Sequence, residues 1–370
     1  MTGRPGKSIS GAPTIRDVAA RAGVATATVS NVLTGRRAVA DATQRRVQEA
    51  VAALGYRPNP IAASLRHRQT RTIGIVVPDI TNPFFADLVR RIEEAASADG
   101  YESVLVDCNE STLREGERLA ALLARMIDGL ILAPTQDDLA AHAALLARLP
   151  PTVLVDRGAG LAGFDTVAAD NEAAAWHGTR HLLDLGHRDV ALLVSSPVLA
   201  NMRDRIAGYR RALAEAGGPA PARIVAGGLA AESSRAAIEQ ELRRADRPTA
   251  VLAATYPATL GAVKAIRALD LAFPDDISLL GFDESDWMTV LRPYVSTIAQ
   301  PAAELAAAAW RTLHARMAGE RGAFTHLRLA CTVEVRESTR PPQADAALPR
   351  RGRRPGTAGE ESAYQGRMIA

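Results

Sequence analysis

A short segment near the amino terminus carries side chains that can read DNA bases. Thr26, Ala27 and Thr28 open a predicted helix, and Asn31 follows about one helical turn later. Threonine and asparagine hydrogen-bond to base edges, and an alanine or threonine methyl group can contact the thymine methyl group. The first residues of a helix that enters the major groove reach those edges. The segment therefore predicts sequence-specific contacts with double-stranded DNA.

A second set of side chains could bind a small ligand. Most of its members lie where a predicted strand ends or a helix opens, and the set is Phe84, Phe85, Arg157, Asn201, Arg205, Thr255, Asp283 and Gln300. Ligands of open α/β sheets bind beyond the carboxyl ends of the strands. Paired guanidinium, carboxylate and amide groups suit a polyhydroxyl ligand, and the phenylalanines could stack on a sugar ring. For each residue alone, a structural ion pair or a place in the core remains an alternative.

Motifs for catalysis, metals and cofactors are missing from the sequence. Cys108 and Cys331 are too few for a disulfide framework or a cysteine-based zinc finger, and they fit a reducing cytoplasm. Residues 158–163 spell GxGxxG, but an extended segment follows them instead of the helix that a dinucleotide site needs. We expect no metal, no cofactor and no enzymatic activity.

The charge is divided unequally along the chain. Residues 1–71 hold 12 basic and three acidic side chains, whereas residues 72–339 hold 26 basic and 35 acidic ones. Residues 340–370 hold six basic and three acidic side chains. A basic head on an acidic body indicates a polyanionic partner such as nucleic acid, although a solvated basic face would give the same count.

The basic head has the pattern of a helix-turn-helix unit. The spacing predicts helices over residues 14–22, 26–33 and 41–54, and Gly23 ends the first of them. Thr14 and Asp17 have the spacing of a capping box at its start. A plain three-helix bundle is the alternative, and the positive charge argues against it.

From residue 72 onward, apolar strands alternate with amphipathic helices. This rhythm predicts parallel sheets covered on both faces, and the strands are numerous enough for two lobes. We divide the chain into a flexible tail (1–13), an all-α DNA-binding head (14–56), a linker (57–71), a two-lobed α/β body (72–340) and a disordered tail (341–370).

Motifs along most of the chain resemble the LacI-type family of regulators, which includes the lactose and purine repressors. They occur in register from about residue 14 to residue 340, for example in segments 14–24, 28–33, 54–59, 82–85, 155–157, 205–209, 281–283 and 297–301. The resemblance implies a DNA-binding head followed by a two-lobed body like that of periplasmic sugar-binding proteins, with a ligand between the lobes.

The resemblance also implies a second DNA contact in the linker. Residues 60–66 are similar to the hinge helix of the family, which forms on the operator, so Ala62, Leu65 and Arg66 are expected to contact DNA. The leucine at this position wedges into the minor groove, as apolar side chains do when they bend DNA. Packing of Leu65 onto the body is the alternative.

Two positions depart from the family pattern. Ala25 stands where a helix-capping serine is usual, and Thr26 could cap in its place. Thr255-Tyr256 stands where Asn-Asp is common, which argues against an ordinary ribose-like effector.

These observations predict a cytoplasmic, sugar-responsive transcriptional repressor that binds a palindromic operator as a homodimer. Residues 1–13 lack the apolar run of a signal peptide, and no segment approaches the length of a membrane span. A sugar-binding protein without a DNA role is the alternative, and the basic head argues against it. A sugar-processing enzyme is a second alternative, and a turnover assay would distinguish it.

Overall fold

The computed structural model describes residues 13–34, 37–56, 70–137, 142–158, 161–217, 222–290 and 292–343. The predictions for Ala62, Leu65 and Arg66, and those for most of both tails, lie outside these residues. None of the helices in the described ranges has the length and apolar content that a membrane span requires.

The head, residues 14–56, contains three short helices. They are α1 (Ile15–Ala22), α2 (Thr26–Thr34) and α3 (Asp41–Leu54). Each contributes a fully buried valine to one small core, and these residues are Val18, Val29 and Val47. Gly23 ends α1 at a φ of 63°, in the left-handed region that favours glycine. The glycine at position 23 therefore explains why the first helix ends there and the turn to α2 begins.

The amino lobe is built on a six-stranded sheet in which every pair is parallel. In chain order its strands are β1 (Thr72–Val77), β2 (Glu102–Asp107), β3 (Gly129–Leu132), β4 (Thr152–Val155), β5 (Asp165–Ala169) and β11 (His326–Leu329). Its helices are α4 (Pro83–Ala98), α5 (Thr112–Ala124), α6 (Ala143–Leu146) and α11 (Ala302–Met317). The spatial order is β11-β5-β4-β3-β1-β2. Its central strands are mostly apolar, as expected for a sheet covered on both faces, although β4 and β5 begin with the buried polar residues Thr152, Asp165 and Thr166.

The carboxyl lobe repeats this architecture with a second six-stranded sheet in the order β12-β10-β9-β8-β6-β7. Its strands are β6 (Val190–Val194), β7 (Arg223–Ala226), β8 (Ala250–Ala253), β9 (Ser278–Phe282), β10 (Ser296–Ala299) and β12 (Thr332–Glu334). Its helices are α7 (Asn171–Asp184), α8 (Ala200–Glu215), α9 (Ala231–Leu242) and α10 (Tyr256–Ala268). The prediction of parallel sheets holds except for β12, which pairs with β10 in the antiparallel direction.

The chain crosses between the lobes three times. The crossings follow β5, β10 and β11, at about residues 170, 301 and 330. Residues at these crossings are covalently tied to both lobes, so they are well placed to respond to a ligand between them. The prediction of two α/β lobes behind an all-α head is confirmed.

Helices α7 and α8 of the carboxyl lobe pack so closely that only glycine fits at one crossing point. A Cβ atom on Gly208 would lie 2.0 Å from the carbonyl oxygen of Glu172 and 2.9 Å from the amide nitrogen of Trp176. Both of these are backbone atoms, so relief requires the helices to move apart.

Gly208→Ala is therefore expected to destabilise the chain by about 1–3 kcal/mol or more, the usual cost of overpacking a core. Denaturant unfolding of the full chain measures this. Gly322→Ala is the matched control, because a Cβ atom there meets nothing within 4 Å. Equal stability of the two variants would contradict the close approach.

Candidate functional site

Helix α2 presents its polar side chains away from the core of the head. Val29 is fully buried and holds the helix against α1 and α3. Thr26 and Ala27 are exposed, whereas Thr28 and Asn31 are half-buried. All four predicted base-reading residues thus retain accessible surface at the start of one helix.

The backbone hydrogen bonds of α2 begin at Ala25, whose methyl side chain cannot act as a cap. The carbonyl oxygen of Ala25 accepts hydrogen bonds from the amides of Thr28 (2.9 Å) and Val29 (3.2 Å). Thr26 is the first helical residue and does not occupy the capping position, contrary to one of our expectations. Its exposed hydroxyl group therefore remains free to contact DNA.

Arg46 on α3 holds the turn between α1 and α2. Its Nε and Nη2 atoms donate to the carbonyl oxygen of Ala22 at 3.1 and 2.5 Å, and Nη2 also donates to that of Gly23 at 3.1 Å. These carbonyl groups are the unsatisfied acceptors of the carboxyl end of α1. Arg46 thereby ties α3 to the turn that precedes α2.

A cleft between the lobes contains the second set of polar groups, and its amino-lobe side is built from Glu110, Asp156 and Arg157. The guanidinium group of Arg157 is buried and makes a bidentate ion pair with Glu110 at 2.7 and 2.8 Å. Burial opposes the charge on Arg157, but the hydrogen bonds with Glu110 hold its pKa above the ordinary value.

Asp156 is the least satisfied carboxylate of the cleft. It is 4% exposed, and its one ion pair among the described residues is a 3.9 Å contact with Nε of Arg157. Burial raises the pKa of Asp156 to about 6, although Arg157 and Arg205 oppose the rise. A buried carboxylate without strong partners is a ready acceptor for a ligand.

The carboxyl-lobe side centres on Arg205 of α8, which is 2% exposed. Its Nε atom donates to Oδ1 of Asn171 at 2.8 Å, and its Nη1 atom donates to the carbonyl oxygen of Ala254. The guanidinium carbon also lies 3.5 Å from the ring centroid of Phe282. Burial lowers the pKa of Arg205, while Asp283 and Asp156 oppose this effect.

Asp283 and Gln300 meet at a crossing between the lobes. Oδ1 of Asp283 accepts from Nε2 of Gln300 at 2.7 Å, and Oδ2 accepts from the backbone amide of Tyr256 at 3.0 Å. Two of the predicted ligand residues are therefore in direct contact. The contact also determines the orientation of the Gln300 amide, because only its nitrogen can donate to a carboxylate.

Asp137 connects the lobes directly. It lies on the loop after β3 of the amino lobe, and its Oδ2 atom accepts a hydrogen bond from the amide of Ala200, the first residue of α8. Arg203 lies 3.4 Å from the same oxygen. A carboxylate at a helix amino terminus is stabilised by the unpaired amides there.

Four polar atoms around the cleft are buried and have no hydrogen-bond partner within the part of the chain that the structure describes. They are Oδ1 of Asp137, Nε of Arg157, Oδ1 of Asn201 and Oε1 of Gln300. Unpaired buried polar atoms are costly, so a cluster of them at one place favours a polar ligand. Arg157, Asn201 and Gln300 were expected from sequence, whereas Asp137 was not.

The remaining predicted ligand residues are engaged inside the protein. Phe84 and Phe85 are 7% and 2% exposed and belong to the amino-lobe core, where Arg157 lies 5.8 Å from the ring of Phe85. The hydroxyl group of Thr255 caps α10 by accepting from the amide of Ala258 at 3.2 Å. Their contact with a ligand stays a prediction.

Sequence reasoning missed Glu110, Asp137 and Asp156. Glu110 and Asp156 have φ values of 53° and 62°, and Asp283 has 67°. Left-handed backbone is uncommon outside glycine and is enriched at binding sites. The signal in the sequence was an aspartate placed directly after the predicted strand 152–155.

A basic helix-turn-helix head joined to two lobes with a polar cleft defines a class of protein, the ligand-responsive DNA-binding regulators. Residues 14–59 match the model of bacterial regulatory proteins of the lacI family, and residues 179–339 match a periplasmic binding protein-like domain. Catabolite control protein A of Priestia megaterium is 32% identical over 335 residues, which cover 88% of this chain and 99% of that protein.

Solved structures give the same result. The Lac repressor dimer bound to operator and the anti-inducer ONPF is 27% identical with a TM-score of 0.79, over 89% of this chain and 99% of that one. The complex of the transcriptional regulator CelR with cellobiose is 29% identical with a TM-score of 0.65, over 88% of this chain and 99% of that one. The chain belongs to the lacI family and is a DNA-binding transcriptional regulator.

Arg46→Met is expected to loosen the turn of the head, because the removed hydrogen bonds come from a charged donor and contribute about 1–2 kcal/mol. Amide hydrogen exchange of the full chain should show faster exchange in α1 and α2. Arg45→Met, at the exposed neighbouring position, removes the same charge without these bonds. Equal exchange rates in the two variants would contradict the role of Arg46.

Asp156→Asn is expected to stabilise the ligand-free chain above pH 6. The folded-state pKa of about 6 exceeds the ordinary 3.8, so ionisation of Asp156 costs stability as the pH rises between these values. The gain is at most about 3 kcal/mol at pH 7.5, from about 1.4 kcal/mol per pKa unit.

Melting temperatures at pH 7.5 and pH 5 test this, since the gain should shrink at the lower pH. Asp270→Asn is the control, because Asp270 is exposed and has a similar φ of 54°. A variant that is destabilised at pH 7.5 would show that the Asp156 charge is well satisfied without a ligand.

Proposed function

We propose that the protein is a repressor that binds a palindromic operator as a homodimer and responds to a small carbohydrate. Helix α2 would enter the major groove of each half-site, with Thr26, Ala27, Thr28 and Asn31 at the base edges. The observation that carries the DNA part is the accessible row of these side chains on a helix held by buried Val29. The effector would bind between the lobes.

The charge distribution supports this orientation on DNA. Residues 1–71 carry nine more basic than acidic side chains, and residues 72–339 carry nine more acidic than basic ones. Phosphate attraction would thus draw the head to DNA while the body is repelled. The segment 57–71, with Ala62, Leu65 and Arg66, stays a predicted hinge that contacts the minor groove.

An exposed edge of the amino lobe supports the homodimer. Strand β2 lies at the edge of its sheet, and Leu105 on this strand is 44% exposed. Leu113 near the start of α5 and Met126, two residues after its end, are also exposed. A second copy would cover this apolar edge, and two heads would read two half-sites, as in the operator-bound Lac repressor dimer.

The cleft supports a carbohydrate as the effector. Asp137, Asn201 and Gln300 have unpaired polar atoms, and these atoms and the carboxylate of Asp156 are suited to hydrogen bonds with the hydroxyl groups of a ligand. One relative of similar structure was solved with cellobiose. A ligand shifts the lobes only by binding one of their arrangements more tightly. The Asp137–Ala200 hydrogen bond would be made or broken by such a shift.

We place the protein in the cytoplasm with its DNA partner, and we propose that the ligand is bound and released unchanged. Incubation of the full chain with a bound sugar, followed by mass spectrometry, tests the second point. A hydrolysed or isomerised product would overturn it.

Asn31→Ala is expected to weaken operator binding by about 1–3 kcal/mol and to leave binding to random DNA nearly unchanged, because a lost base contact removes only the specific contribution. Titration of both DNAs at one salt concentration measures this, with an operator selected from a random library. Gln44→Ala, on the exposed face of α3, is the control. Equal losses on operator and random DNA would contradict base reading by Asn31.

A further inference from the structure

The free polar atoms of the cleft are mostly acceptors. Asp137 and Gln300 each have a buried oxygen without a partner among the described residues, and the carboxylate of Asp156 has only its 3.9 Å contact with Arg157 there. The unpaired amide of Asn201 can offer either its oxygen or its nitrogen to a ligand. The oxygen of Gln300 is assigned by its amide nitrogen, which donates to Asp283. Among the four unpaired cleft atoms, Nε of Arg157 is the one that can only donate. A ligand that completes this set must supply hydrogen-bond donors.

The cations of the cleft are already engaged. Both Nη atoms of Arg157 are bound by Glu110, and two of the three nitrogens of Arg205 donate to Asn171 and Ala254. Glu110, Asp137, Asp156 and Asp283 provide four carboxylates, against the three guanidinium groups of Arg157, Arg205 and Arg203, and Arg203 is itself paired with Asp137. An anionic ligand would meet this excess negative charge in a site of low dielectric, where repulsion is strong.

A cavity of about 500 Å³ continues the cleft outward. Glu110 and Tyr256 line it and also touch the inner groups, because Glu110 pairs with Arg157 and the amide of Tyr256 donates to Asp283. The inner polar groups and the outer cavity are therefore adjacent parts of one site.

The two walls of the outer cavity differ in chemistry. The carboxyl-lobe wall is apolar and contains Leu229, Tyr256, Pro257 and Leu260. The amino-lobe wall is polar and contains Asp79, Asn82 and Glu110. A sugar ring has one apolar face and polar edges, and an aromatic group matches the apolar wall equally well. The volume falls within the roughly 300–1,000 Å³ that bound small molecules occupy.

From these features we infer that the effector is an uncharged glycoside of at least two units, a disaccharide or an aryl glycoside, and not a monosaccharide or a sugar phosphate. One polyhydroxyl unit donates to the inner acceptors. The second unit fills the outer cavity against Tyr256 and Leu260. The inference rests on the proposed effector function of the cleft and adds the size and charge of the ligand.

The test is a calorimetric screen of the full-length protein with matched sugars. The panel contains common disaccharides and p-nitrophenyl glycosides, the parent monosaccharides, and the corresponding 6-phosphates. We expect one uncharged glycoside to bind at least tenfold more tightly than its parent monosaccharide and its 6-phosphate. A phosphate ester or a free monosaccharide as the tightest ligand would overturn the inference, and so would a panel in which nothing binds.

Variants of Tyr256 test the outer cavity. Tyr256→Ser should weaken binding of the selected glycoside at least tenfold and change binding of its parent monosaccharide by less than threefold. Tyr256→Phe should restore the affinity, because the ring and not the hydroxyl group forms the wall. Phe324→Ala, at an exposed aromatic residue outside the cavity, is the control. Equal losses for glycoside and monosaccharide would place Tyr256 outside a second subsite.

These outcomes are separable from failure of the proposed function. Operator binding by the Asn31 variant is measured without any sugar, so a failed screen leaves the DNA result intact. If a monosaccharide or a sugar phosphate binds and changes operator affinity, the cleft is an effector site and only the inferred ligand class is wrong.

Discussion

The buried guanidinium group of Arg205 is the interaction around which the cleft is organised. A charge that is 2% exposed must be surrounded by partners, because its desolvation is costly. Asn171 comes from a crossing between the lobes, Ala254 from the end of β8 and Phe282 from the end of β9. One side chain thus brings three separate segments together. Removing it would leave acceptors unpaired in several elements, so Arg205 organises the site as well as lining it.

Each lobe places an aspartate with left-handed backbone directly after one of its strands, near Arg205. Asp156 follows β4 and Asp283 follows β9, and both have left-handed φ values, of 62° and 67°. Their amides donate at 3.0 Å to the carbonyl oxygens of Val167 and Ile298 on the neighbouring strands. The strand ladder therefore continues through the strained residue, and the carboxylate is turned out of the sheet. Asp283 then finds protein partners, whereas Asp156 is left for a ligand.

The sequence was sufficient for features that depend on local pattern. Strands 152–155 and 190–194 were predicted with the bounds that the structure has, since continuous apolar runs between turn residues define buried parallel strands. Helix Ala302–Met317 was not predicted, because its many alanines give a weak periodicity. Strands β11 and β12 were also missed, since they are short and pair with strands far away in the chain. Glu110 was missed for a similar reason, because it lies 47 positions along the chain from its partner Arg157 and local pattern does not reveal the pair.

The arrangement of unpaired atoms on both lobes limits how a ligand can act on DNA binding. Asp137, Asp156 and Arg157 belong to the amino lobe, whereas Asn201 belongs to the carboxyl lobe. A molecule that satisfies both groups stabilises only those arrangements in which the lobes are close. Its effect on the operator can then be no larger than its preference for that arrangement over others. Linkage makes the effect reciprocal, so operator DNA must change the affinity for the ligand by the same factor. A ligand that contacted one rigid lobe alone would bind all arrangements of the lobes equally, so it would leave operator affinity unchanged.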